Sequence, residues 1–157
     1  MVKKTGLTSK AMTSPCGKIH IPLNESKDNS SQIVEYLNEY RGEGIQHIAL
    51  YTNNIYDTVD ILKARQVPLQ DTIDIYYDLI NDRIDEHAED VEELRKRRIL
   101  IDGGKEDGVL LQIFTDTVIG PIFFEIIQRK GNNGFGEGNF KALFESIELD
   151  QMRRGVI

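Results

Sequence analysis

The stretch Gly120-Pro121-Ile122-Phe123-Phe124-Glu125-Ile126-Ile127-Gln128-Arg129 is an apolar run with one carboxylate in its middle. Aromatic and β-branched residues flank Glu125, and Gly120-Pro121 punctuates the entry, so the run reads as a buried strand. An unpaired ionised carboxylate inside such a strand would cost several kcal/mol. Glu125 must therefore find a cation, hold a proton or reach solvent. A metal ion shared with His47 would meet that need.

Composition narrows the field. The chain has 157 residues, enough for one domain with a sizeable core. Apolar residues make up 39% and charged residues 29%, as in ordinary globular proteins. A net charge of −7 argues against non-specific nucleic-acid binding, which needs a basic surface. No apolar run reaches the length of a membrane span. The basic start Met1-Val2-Lys3-Lys4 is not followed by an apolar signal core. The single cysteine, Cys16, excludes an internal disulfide framework and suits a reducing compartment, with cytoplasm as the default.

Working back from Glu125, Val109 to Thr115 and Ile99 to Asp102 read as strands, joined by the turn Gly103-Gly104-Lys105-Glu106-Asp107-Gly108. Glu89 to Arg98 places acids first and bases last, which complements a helix dipole and predicts a solvated structural helix. Asp74 to Ile84 has weaker helical character. Ile55, Val59 and Leu62 give an apolar stripe to a helix over about 55–65, capped by Asn53 or Asn54. Ile45 to Thr52 is a strand, with His47, Ala49 and Tyr51 on one face and Gln46, Ile48 and Leu50 on the other. Ser31 caps a helix from Gln32 to Tyr40, which Gly42 and Gly44 end. Residues 24–31 form a polar loop. Two strands, about 7–13 and 18–23, join through Ser14-Pro15-Cys16-Gly17. The chain thus opens inside a hairpin, where chain ends rarely lie. After Gln128 come a glycine-rich loop, 131–138, and a helix from Asn139 with Phe140, Leu143, Phe144 and Ile147 at helical spacing.

Few residues offer chemistry. His20 and His87 read as structural or surface side chains. His47 lies mid-strand beside the small Ala49. A lone strand histidine is more often a packed core residue than a ligand. The case for His47 rests on its meeting Glu125 in a curled sheet, where imidazole nitrogen and carboxylate oxygen would suit a divalent first-row metal with open positions. Such a pair should approach within roughly 3–4 Å, given metal bonds near 2.1 Å. Gly134-Phe135-Gly136-Glu137-Gly138 fits neither a dinucleotide fingerprint nor a P-loop, and reads as a connector or a hinge for the last helix. No nucleophile motif is present, and Cys16 sits in a turn with no evident activating partner.

Five segments together resemble the 4-hydroxyphenylpyruvate dioxygenases. They are Ile21-Pro22-Leu23-Asn24-Glu25 with Ser31-Gln32-Ile33, Gly44 to Leu50, Leu110 to Thr115, Phe123 to Arg129, and Gly134 to Phe140. The short Thr117-Val118-Ile119-Gly120-Pro121 connection is similar to the bacterial form. The resemblance runs in order through nearly the whole chain. It implies an α+β vicinal oxygen chelate (glyoxalase/bleomycin resistance-like) fold. That fold has a βαβββ module, a curled mixed sheet with flanking helices and a C-terminal helix. It also implies a non-haem Fe(II) held by two histidines and one glutamate, with His47 matching the second histidine and Glu125 the glutamate. The family's first histidine lies in a Val-Asp-His segment upstream of the position of Ser9. No such segment occurs here, so the resemblance is to the C-terminal part of the enzyme.

Residue by residue, the resemblance places Ser9, Asn24 and Gln32 around the substrate and Gln112 near its keto-acid end. Phe114 and Phe140 flank the aromatic ring, and Phe135 belongs to a lid with the last helix. It divides the chain into 1–40, the remnant of a truncated preceding module with its connecting helix, 41–130, the βαβββ module, and 131–157, loop and lid helix. The implied partners are 4-hydroxyphenylpyruvate and O₂, with homogentisate as product of tyrosine catabolism. A homo-oligomer is expected, because a truncated module leaves apolar surface to cover. Two alternatives stand beside this. One is a 4-hydroxymandelate synthase relative, which attacks the benzylic carbon. The other is a non-catalytic fragment holding two of three iron ligands, for which His20 is the only nearby substitute.

Overall fold

The computed structural model describes residues 7–27 and 32–153. The chain divides into two compact units, residues 1–46 with 119–122, and residues 47–118 with 123–157.

In the first unit, β1 (Leu7–Thr13) and β2 (His20–Ser26) form an antiparallel hairpin, with Thr13 opposite His20 and Leu7 opposite Ser26. The second strand starts later and runs further than the sequence suggests, because it pairs along the whole of β1. The connection closes on itself: Ser14 N–H donates to the Ile19 carbonyl at 2.9 Å, and Gly17 turns at φ 69°. Both ring nitrogens of His20 are engaged here, Nδ1 with Thr13 Oγ1 at 3.2 Å and Nε2 with the Gly17 carbonyl at 3.0 Å. Cys16 is exposed but not isolated. Ser14 Oγ lies 3.3 Å from its Sγ, and this hydrogen bond holds the thiol below its ordinary pKa.

Ser31, the expected cap, lies outside the described residues. The helix it precedes, α1 (Gln32–Tyr40), is present. Arg41, not a glycine, takes the left-handed cap at φ 63°, and Gly42 N–H returns to the Leu37 carbonyl at 3.0 Å. Gly44 serves close approach: a Cβ there would lie 2.3 Å from the Tyr40 ring. The chain can then pass beneath the stacked Tyr36 and Tyr40, and Tyr36 O–H donates to the Ile45 carbonyl at 2.8 Å.

The second unit begins with β3 (His47–Tyr51), followed by α2 (Ile55–Ala64), α3 (Asp74–Asp78), α4 (Ile80–Arg83) and α5 (Val91–Arg97). It continues with β4 (Leu100–Gly104), β5 (Gly108–Phe114), β6 (Phe123–Lys130) and α6 (Glu137–Arg153). The strands form one sheet in the order β3-β6-β5-β4, with β3 parallel to β6 and the other pairs antiparallel. This is the α+β βαβββ arrangement that the sequence implies. In place of a single helix over 74–84, two short ones meet at Leu79.

Packing explains the elements. Ile55 and Val59 of α2 and Leu94 of α5 are fully buried and cluster with Ile99, Ile101, Leu111 and Ile113. Burying each such side chain contributes about 1.5–3 kcal/mol. Asn54 Oδ1 accepts from Asp57 N–H at 3.2 Å, and Asp90 Oδ1 from Glu92 and Glu93 N–H, so both helices carry side-chain caps. The basic end of α5 is tied down as well as solvated. Arg97 grips Asp60 of α2 at 2.8 Å, and Arg95 grips Asp78 of α3 at 2.9 Å. For α6, Ala142 is buried and Leu143 packs on the core. The side chains of Phe140, Phe144 and Ile147 lie outside the described residues.

Candidate metal centre

Sheet register gathers the candidate residues of the second unit. His47 stands opposite Phe123, and Ala49 opposite Glu125, across the parallel β3–β6 pair. Phe114 stands opposite Glu125 across β5–β6. With a side-chain period of two, His47, Ala49, Phe123, Glu125, Phe114 and Gln112 share one face. The methyl group of Ala49 beside Glu125 leaves space for the carboxylate to lean toward His47.

It does so. His47 Nε2 lies 3.7 Å from Glu125 Oε2, inside the separation expected of two groups sharing a cation. That distance is too long for a hydrogen bond. Burial holds the imidazole below its ordinary pKa and pushes the Glu125 carboxyl above its own. Desolvation is the largest cause of both shifts and acts in each against the charged form. The hydrogen bond from Gln112 and the more distant charge of Arg129 offset part of the carboxyl's shift.

The surroundings fix both side chains. The His47 ring stacks on Phe123 at 5.1 Å, and Phe114 meets Phe123 edge-on at 5.9 Å. His47 Nδ1 is buried without a hydrogen-bond partner. Gln112, 3% exposed in the central strand β5, donates from Nε2 to Glu125 Oε1. Oε2 is thus the carboxylate oxygen that faces the imidazole. A neutral imidazole nitrogen and a buried carboxylate with one free oxygen fit a divalent cation, which would neutralise the charge that burial penalises. Among the described residues, no group of three or more His, Cys, Asp and Glu side chains is placed to hold a metal.

The other candidates are placed as follows. Ser9 and Asn24 face each other across the β1–β2 hairpin, and Ser9 O–H donates to Asn24 Oδ1 at 2.7 Å. Gln32 opens α1 and Phe140 lies in the first turn of α6, but their side chains lie outside the described residues. Phe135 sits half-buried in the loop before α6, its N–H donating to Glu137 Oε2. His87 is structural: Nε2 pairs with Asn81 Oδ1 and Nδ1 accepts from Glu89 N–H.

Sequence reasoning passed over three features. Phe123 stacks on His47, a contact that period-two alternation along 122–128 could have revealed. Asn139 Nδ2 donates to Gln112 Oε1 at 2.6 Å, and no local pattern signals that pairing. Gly136 and Gly138 are close-approach positions as well as loop residues. A Cβ at Gly136 would fall 2.1 Å from Gln112 Oε1, and one at Gly138 would fall 2.1 Å from Asp102 Oδ1.

A mixed βαβββ sheet with a histidine and a glutamate converging from its paired strands defines a class. The sequence profile of the Glyoxalase/Bleomycin resistance protein/Dioxygenase superfamily matches residues 1–82, just over half of the chain, and the chain belongs to that superfamily. Within it, the chain is 65% identical over 156 residues to the 4-hydroxyphenylpyruvate dioxygenase of Pseudomonas aeruginosa and 66% identical to Hemolysin VllY of Vibrio vulnificus. Each comparison covers 99% of this chain and 44% of the relative, so the chain spans less than half the length of these proteins. Among solved structures, a mutant 4-hydroxymandelate synthase from Streptomyces coelicolor superposes with a TM-score of 0.78 at 35% identity. That match covers 96% of this chain and 44% of the synthase. No helix among the described residues is long and apolar enough to cross a membrane.

Proposed function

We propose that this chain is the C-terminal region of a 4-hydroxyphenylpyruvate dioxygenase, and that His47 and Glu125 are two of three ligands to a catalytic Fe(II). The 3.7 Å approach of His47 Nε2 to Glu125 Oε2, inside an apolar sheet face, is the observation that carries the reading. Bound Fe(II) would supply activation of O₂ coupled to oxidative decarboxylation of a 2-oxo acid. The chain's own residues bind and orient. Gln112 holds Glu125 by one oxygen, and the resemblance implies that it stands near the substrate's keto-acid end. Phe114, braced edge-on by Phe123, and Phe140 flank the aromatic ring. Ser9, Asn24 and Gln32 contribute polar contacts, and Phe135 with α6 excludes water. Residues 1–40 belong to a preceding module, 41–130 to the ligand-bearing module and 131–157 to the lid. The compartment is cytoplasmic and the assembly a homo-oligomer.

Held by His47 and Glu125 alone, Fe(II) would bind weakly and turnover would not follow. Anaerobic addition of 4-hydroxyphenylpyruvate to the Fe(II)-loaded chain should raise a visible charge-transfer band that Glu125→Gln abolishes. Absence of the band in the native chain would contradict the site. On admitting O₂, no homogentisate is expected, and its robust release would contradict the two-ligand account. The similarity to the mandelate synthase keeps a second product in view. Release of 4-hydroxymandelate would replace the ring-hydroxylating reading with a benzylic one.

A further inference from the structure

A line of buried polar groups runs through the second unit to the candidate ligand Glu125. It starts at Arg83, whose Nη2 donates to Tyr76 Oη at 3.0 Å and to the Ile101 carbonyl at 2.9 Å. The guanidinium also sits over the Tyr76 ring at 5.2 Å. Ile101 N–H donates to the same phenol oxygen at 2.9 Å. Tyr76 Oη lies 2.7 Å from Asn139 Oδ1, Asn139 Nδ2 lies 2.6 Å from Gln112 Oε1, and Gln112 Nε2 reaches Glu125 Oε1. Tyr76, Asn139 and Gln112 are each less than 5% exposed.

The directions of the amide bonds follow from the carboxylate end. The Glu125 carboxylate accepts, so Gln112 must present its amide nitrogen there and its oxygen to Asn139. Asn139 must then give its nitrogen to Gln112 and its oxygen to Tyr76. The phenol has one proton and two accepting lone pairs, the latter filled by Arg83 and Ile101 N–H. Its proton has two acceptors in reach, Asn139 Oδ1 at 2.7 Å and the Ile101 carbonyl at 3.0 Å, and Asn139 is the nearer. Amide ends that could otherwise flip are therefore held in one orientation.

We propose that Asn139 and Tyr76 are positioning residues for the metal carboxylate. Together they lock the Gln112 amide, which occupies Glu125 Oε1 and leaves Oε2 as the single oxygen presented to His47 and a cation. This rests on Glu125 being a metal ligand. It adds that the first turn of α6 governs how that ligand is presented. Seating of the C-terminal helix and geometry of the carboxylate are one event, since Asn139 belongs to the helix and Gln112 to the sheet.

Two variants test it. Asn139→Asp is isosteric but cannot donate to Gln112, which must turn its nitrogen away from Glu125. Tyr76→Phe keeps the ring and removes the proton that orients Asn139. The readouts are the side-chain amide resonances of Gln112 in the ¹⁵N-labelled full chain, assigned through Gln112→Leu, and the affinity for Co(II). In the native chain the Gln112 pair should be shifted by its carboxylate partner and protected from exchange. Asn139→Asp should abolish both features and weaken Co(II) binding about tenfold, the usual scale for outer partners of a ligand, with a smaller loss in Tyr76→Phe. Native-like Gln112 resonances and Co(II) affinity in the folded variants would overturn the proposal. If Asn139→Asp does not fold, Tyr76→Phe decides by the same readouts. If the native chain binds no Co(II), the metal reading falls, and the Gln112 resonances alone decide the positioning role.

Discussion

At Glu125, burial raises the folded-state pKa above the unfolded value. The group therefore favours the fold at low pH, and that contribution is lost as pH rises through the folded value. Ionising Glu125 without a cation therefore costs the fold stability. Glu125→Gln keeps an oxygen for Gln112 and removes the charge. Its unfolding free energy should match that of the native chain at acid pH and exceed it by about 1 kcal/mol once pH has risen through the folded value. Saturating Co(II) should close the gap. Chemical denaturation across pH checks this, and a gap that narrows as pH rises would refute it. His47 and Glu125 were legible because strand periodicity puts each on a definite face and apolar flanks make a carboxylate conspicuous. Tyr76 and Asn139 were not, since their hydroxyl and amide meet across 63 positions of sequence.

Elements with end signals are the most legible. Asp90 opens α5 as an acid ahead of a periodic run, and its carboxylate takes two backbone N–H groups at 2.9 and 3.1 Å. Asp90→Ala should lower stability by about 1 kcal/mol, measured by urea unfolding. The break between α3 and α4 carried no such signal, because tertiary packing of Ile75, Tyr76, Tyr77 and Ile80 sets it. Composition marks the loop before α6 as a connector or hinge, whereas Gly136 is fixed at φ 77° against Gln112. Gly136→Ala should destabilise by about 1–3 kcal/mol through backbone strain and overpacking. It should also hasten proteolysis within α6 relative to the sheet. Unchanged stability and cleavage would return the glycine to the role of a plain linker.

At the level of the whole molecule, β3 is the edge strand of the described four-stranded sheet, and it carries exposed Ile48, Leu50 and Tyr51. Apolar side chains on an open edge favour pairing with a second copy. Sedimentation equilibrium should show mass rising with concentration, and Ile48→Lys with Leu50→Lys should restore the monomer. A native monomer at all concentrations would count against the homo-oligomer. The βαβββ order was legible because each strand carries its own apolar pattern and turn residues. The register that brings Ala49 beside Glu125 had to come from the structure. The most direct test of the shared cation is calorimetric titration of Co(II) into the native chain, His47→Ala, Glu125→Gln and the double variant. One equivalent bound by the native chain, lost in either single variant and no weaker in the double, is the predicted result. Binding that survives both single substitutions would contradict a cation held between His47 and Glu125.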